Sequence, residues 1–202
     1  IDMANKFEKI VTDIGIAKYP WLKYPDDQYA TPGEYKLGLI LTKEQSAPLI
    51  KKIEDTVAKA KELGKGKKIV PNNLPYKEEL DDQDQPTGNF VFNFKQKSKI
   101  NLKDGTQADM KPVIVDAKGR KLTNEQIWGG TKCKVSALLI PYLAGSNYGC
   151  TMRLRAVQII ELVSGKDGDM GSHGFKEEKG YEAPDTDSTT EEDKVSEETD
   201  DF

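Results

Sequence analysis

Cations recur at every second residue in three stretches of this 202-residue chain. "NFVFNFKQKSKI" (89–100) carries Lys95, Lys97 and Lys99, "KCKVS" carries Lys132 and Lys134, and "CTMRLRAVQIIELV" (150–163) sets Arg153 and Arg155 on either side of Leu154. A period of two puts such side chains on one face of a β-strand. "AKYPWLKYPDDQYATPGEY" (17–35) adds Tyr19, Trp21, Tyr24 and Tyr29, while Trp128, Tyr142 and Tyr148 lie in or beside turns. Ammonium and guanidinium groups neutralise phosphates, and each ring stacked on a base contributes about 1–3 kcal/mol. A single-stranded nucleic acid exposes phosphates and base faces together, so the mixture suits that ligand. The candidate binding residues are Tyr19, Trp21, Tyr24, Lys95, Lys97, Lys132, Lys134, Tyr148, Arg153 and Arg155. Alternating lysines on one strand are commonly a wetted face; three such strands in one chain strengthen the binding reading.

Catalytic chemistry has little to work with. His173 is the lone histidine, which removes most Ser-His-Asp and Cys-His schemes. With Cys133 and Cys150 it cannot complete a zinc site, and the two cysteines are expected as free thiols in strands. "GKGKK" (64–68) lacks the spacing and the Ser/Thr of a phosphate loop, and "EELDDQD" (78–84) lacks calcium-loop spacing. That acidic cluster reads as a solvated loop, with a metal-dependent nuclease as the reading that a cleavage assay with magnesium would exclude. No cofactor is implied.

The elements that must position the cations follow from periodicity. Residues 17–35 read as loop, broken by Pro20, Pro25, Pro32 and Gly33. "EYKLGLILT" (34–42) alternates as a strand. Thr42 and Gln45 form a capping-box pattern, and Leu49, Ile53, Val57 and Ala60 predict a helix over 44–63, stopped by Gly64. Residues 64–88 read mostly as loop. Further strands are expected at 89–100, with Phe90, Phe92 and Phe94 inward; at 111–122, around a Lys118-Gly119 turn; within 127–143, with Cys133, Val135, Ala137 and Leu139 inward; and at 150–163, with Met152, Leu154, Ala156 and Ile160 inward. Five or more strands with one helix after the first predict a mainly β fold, a five-stranded, partly open oligonucleotide-binding barrel. Residues 1–165 form that domain. Residues 166–202, rich in Gly, Ser, Asp and Glu, are expected to be disordered. No apolar run is long enough for a membrane span.

Charge is divided. Residues 177–202 hold twelve acids against two lysines, net −10, leaving +6 on residues 1–176. The asymmetry points to a polyanionic ligand for the body and a separate role for the tail. "YPWLKYPDDQYATPGEYKLGLILT" and "NYGCTMRLRAVQIIEL", with the closing "DDF", resemble the phage single-stranded DNA-binding proteins of the T-seven type. The resemblance implies an oligonucleotide-binding barrel, a helix after the first strand, an acidic tail ending in an aromatic residue, and a protein of phage DNA replication, recombination and repair in the cytoplasm of the infected bacterium. It implies that single-stranded DNA is coated without sequence preference, and that replicative polymerase and primase-helicase are met through the tail, with Asp200, Asp201 and Phe202 as contacts. Arg153 and Arg155 in the last strand and the aromatic loop at Tyr19–Tyr24 correspond best to the family's stacking and phosphate-contacting positions. A homodimer is left open. The competing reading is a DNA-mimic or acidic adaptor whose tail binds a basic protein.

Overall fold

The computed structural model describes residues 7–28 and 31–163. Among them, eleven strands and one helix follow in chain order: β1 (Glu8–Val11), β2 (Gly15–Asp26), β3 (Glu34–Leu41), α1 (Lys43–Leu63), β4 (Val70–Pro71), β5 (Tyr76–Leu80), β6 (Pro86–Lys97), β7 (Lys99–Asn101), β8 (Gln107–Asp109), β9 (Val113–Val115), β10 (Lys132–Ala144) and β11 (Asn147–Glu161). Five of them close on themselves in the order β10-β2-β3-β6-β11, with β11 returning along β10. Two seams are short: β10 meets β2 at Lys132–Ile16 and Cys133–Gly15, and β11 meets β6 in parallel at Arg153–Lys95. This is the partly open five-stranded barrel that the alternation predicted.

Side chains at every second position fill it. Leu37, Leu39 and Leu41 from β3, Phe92 and Phe94 from β6, Val135, Ala137 and Leu139 from β10, and Met152 and Leu154 from β11 are all buried, and α1 adds Leu49 and Ile53. The helix starts as its capping box dictates. The Gln45 N–H donates to Thr42 Oγ1 at 3.3 Å, and the Thr42 N–H to Gln45 Oε1 at 3.0 Å. No described helix is long and apolar enough to cross a membrane.

Four expectations change. Residues 17–26 belong to strand β2 and not to a loop. Pro20 and Pro25 break no ladder, because the β2–β3 register slips between Lys18 and Trp21 and again between Trp21 and Asp26. Proline is tolerated at such irregularities, where no amide hydrogen is required. Three strands, β1, β2 and β3, therefore precede the helix, which follows the strand that the alternation makes most visible. The stretch 64–88 contains β4 and β5, and β5 pairs with β6. On β11, Ala137 opposes Leu154 while Ser136 opposes Ala156, so Arg155 is an extra residue with no partner. This bulge reverses the inward parity, and Val157 and Ile159, not Ala156 and Ile160, enter the core.

Candidate nucleic-acid interface

The outer face of β2, β3, β6 and β11 gathers the cations. One cross-strand row runs Trp21–Lys36–Lys95–Arg153, each residue registered against the next. The adjacent row runs Lys18–Gly38–Asn93. Lys36 and Lys95 from the first row, Lys18, Gly38 and Asn93 from the second, and Lys77 from β5 line a groove of about 380 Å³ that also takes in Glu34, Leu37 and Val91; Trp21 and Arg153 stand at the two ends of the first row, outside that lining. Gly38 keeps β2 and β3 close there: a Cβ would stand 3.0 Å from the Lys18 carbonyl oxygen and 3.3 Å from Val91, so a larger residue would push its neighbours back by a few tenths of an ångström.

The bulge in β2 aims the rings. Tyr19 takes a left-handed φ of 48°, and three residues on β2 span two on β3. Lys18 and Trp21 thereby share the outer face despite their odd spacing, and the Tyr19 ring is thrown into solvent, 77% exposed. The loop before β10 supplies the other wall. Ile127 is buried, and backbone bonds from Ala17 to Thr131 (2.8 Å) and from Gly130 to Ala17 (2.9 Å) tie the loop to β2. Trp128 is thus held beside Tyr19, Pro20 and Trp21 around a cleft of about 360 Å³. Tyr19 lines both this aromatic cleft and the basic groove, so the two are contiguous.

Charge in the groove is partly compensated. Asp26, buried at the end of β2, is ion-paired with Lys36. That bond, then the Gln28 N–H at 3.1 Å, hold its carboxyl below the usual range. Lys36 lies 5.9 Å from the Trp21 ring centroid. Lys18 stands 3.9 Å from Glu79, which also accepts from Thr87 and Asn89. Burial, then the charge of neighbouring Arg155, pull the Arg153 guanidinium below its ordinary pKa. Among the described residues no Asp, Glu, His and Cys group could hold a metal ion, and "EELDDQD" serves β5 and its turn.

Of the ten residues singled out from sequence, the structure brings Tyr19, Trp21, Lys95 and Arg153 together. Lys97 continues the β6 row opposite Glu34, and Arg155 is exposed in its bulge beside Arg153. Tyr24 lies further along β2, 67% exposed, with Lys23 5.7 Å from its ring. Three stand elsewhere. Tyr148 is buried at the β10–β11 hairpin against Pro71 and presents no ring for stacking. Lys132 is bound to Glu161 at 2.8 Å beside a separate cleft. Lys134 opposes Gln158, whose amide reaches Ala117 on the β9 side. Lys18, Lys36 and Lys77 were not singled out. Lys36 alternates with Tyr35 and Leu37, so its outward position is readable; Lys18 and Lys77 fell in stretches read as loop. Asp200, Asp201 and Phe202 lie outside the described residues.

Known proteins resemble this chain in sequence and in fold. The family described as single-stranded DNA-binding protein, bacteriophage T7, matches residues 15–164. The single-stranded DNA-binding protein of Escherichia phage T7 is 29% identical over 161 residues, 73% of this chain and 68% of that protein. That of Enterobacteria phage T3 is 28% identical over 188 residues, 80% of each. The crystal structure of gp2.5, the T7 single-stranded DNA-binding protein, superposes with a TM-score of 0.65 at 25% identity, covering 88% of this chain and 99% of that one. The single-stranded DNA-binding protein of bacteriophage Enc34, solved with single-stranded DNA, shares the fold with a TM-score of 0.58 at 18% identity, covering 77% and 88%.

Proposed function

The chain belongs to the bacteriophage T7 family of single-stranded DNA-binding proteins, and from that premise we propose that its groove coats single strands without sequence preference. It is a binding protein and not an enzyme. The observation that carries the reading is the row Trp21–Lys36–Lys95–Arg153 beside the cleft of Tyr19, Trp21 and Trp128. Rings take base faces while Lys77, Lys95, Lys97, Arg153 and Arg155 take phosphates. With the cations on phosphates and the rings on base faces, affinity follows backbone and stacking, which every sequence offers alike. About five neutralised phosphates give a log–log salt slope near −3.5, from about −0.7 per contact.

Residues 166–202 form the second functional unit in this reading. The last 26 residues carry −10. Their opposite sign lets the acids occupy the basic groove until DNA, with its denser charge, displaces them. The freed segment then offers carboxylates and the Phe202 ring to replicative polymerase and primase-helicase. Asp200 and Asp201 steer the encounter and the ring fills an apolar pocket. The setting is phage DNA replication, recombination and repair in the infected bacterial cytoplasm.

The test is a tryptophan-fluorescence titration with a thymidine oligomer and a duplex of equal length, at two salt concentrations. The full chain is compared with one ending at Lys176. Preference for the single strand, stronger in the shortened chain and weaker in salt, is expected. No binding by either chain would leave the cations as a wetted face and turn the acidic segment into the working end of an adaptor.

A further inference from the structure

We infer that Lys36 is not a phosphate ligand but the positioning residue for Trp21, held in that role by Asp26. The inference rests on the single-strand reading of the groove and assigns different work to two lysines that register directly against each other. Lys36 and Lys95 are cross-strand partners on β3 and β6, and Arg153 follows on β11. Like charges placed directly opposite repel. The structure relieves the repulsion at one member only. Lys36 is ion-paired with the 5%-exposed Asp26, whereas Lys95 is exposed and has no ion-pair partner among the described residues.

Asp26 is itself anchored. The Gln28 N–H donates to its Oδ1, and it closes the register of β2 against Glu34. If a phosphate drew Lys36 away, it would leave a buried carboxylate unpaired, which is strongly unfavourable. The pair therefore persists when the strand binds. What Lys36 does touch is the neighbouring ring: its Nζ lies 5.9 Å from the Trp21 centroid, and Trp21 is its cross-strand partner. Trp21 is only 38% exposed, so one part of its indole is covered and the remainder borders the aromatic cleft. The ammonium fixes the ring angle, and Asp26 fixes the ammonium.

The experiment compares Lys36→Met, Lys36→Arg, Asp26→Asn and Lys95→Met in the full chain. Each is titrated with a thymidine oligomer across a salt series, with near-ultraviolet dichroism to verify the fold. Lys36→Met keeps the stem and removes the charge. It is expected to weaken binding about two- to fivefold, the scale of an exposed cation–π contact, with the parent's salt slope. Lys36→Arg, which can both pair and stack, restores affinity. Asp26→Asn releases the ammonium to the strand and steepens the slope by about 0.7. A Lys36→Met slope shallower by about 0.7, like the one expected of Lys95→Met, would make Lys36 an ordinary phosphate contact and overturn the inference. So would a Lys36→Met protein indistinguishable from the parent. An unchanged slope in Lys95→Met is a different failure: it removes the groove itself, and the positioning role with it.

Discussion

Trp21 and Trp128 border the same cleft from different parts of the chain, one on β2 and one on the loop that β2 anchors. If each stacks on a base, Trp21→Ala and Trp128→Ala should each cost about 1–3 kcal/mol of binding to a thymidine oligomer, read by equilibrium titration at fixed salt, while the slope with salt stays. A Tyr148→Phe control should bind as the parent does, since that side chain is buried away from the groove. Asp26 gives an acid-side test. Its folded pKa is depressed by Lys36 and by the Gln28 N–H, so its stabilisation is complete above the unfolded value of about 3.9 and is lost as pH falls through the folded one. Thermal melts of the parent and Asp26→Asn should therefore differ most near neutrality and converge in acid. The thiols should be silent: burial pushes Cys133 up to about 12 and Cys150 up to about 11, so neither reacts with a disulfide reagent until the chain unfolds.

Elements set what those residues can do. The β2 bulge holds Tyr19 at φ 48°, a conformation that costs a non-glycine residue about 1–2 kcal/mol. Tyr19→Gly should then melt no lower than Tyr19→Ala, while both lose affinity for the single strand. A Tyr19→Gly protein that melts well below Tyr19→Ala would show that the bulge needs no left-handed residue. These irregularities also mark where sequence reading works and where it stops. The regular alternation of Leu37, Leu39, Leu41, Phe92, Phe94, Val135 and Leu139 announces an inner face, and Thr42 with Gln45 announces the helix. Lys95 and Arg153 are readable as outward cations by the same rule. A bulge writes no period. Lys18 and Trp21 share a face although three residues apart, and Arg155 flips the parity of β11, so the wall carried by β2 and the inward Val157 and Ile159 escape a period-two rule. Pro20 and Pro25 add to the effect, since they signal loop by composition and sit in a strand only where its register slips. Tyr148 fails for a different reason: a ring beside a turn can be covered by a strand as distant as β4, whose two residues, Val70 and Pro71, are too short to announce themselves.

At the scale of the molecule, the proposed reading has a terminal stretch carrying −10 compete with DNA for the cations of a body carrying +6. Removing residues 177–202 should tighten single-strand binding, and the gain should shrink as salt screens both partners. Weaker binding after the deletion would rule out the competition. The groove itself is the central claim, and its most direct test is the salt dependence of Lys95→Ala with Arg153→Ala, the two cations that meet across the parallel β6–β11 seam. With the fold intact by dichroism, the double variant should bind the thymidine oligomer more weakly, its log–log slope shallower by about 1.4. A slope equal to the parent's would mean that the strand does not cross this seam, and that the row of rings and cations is only the wetted outside of a barrel.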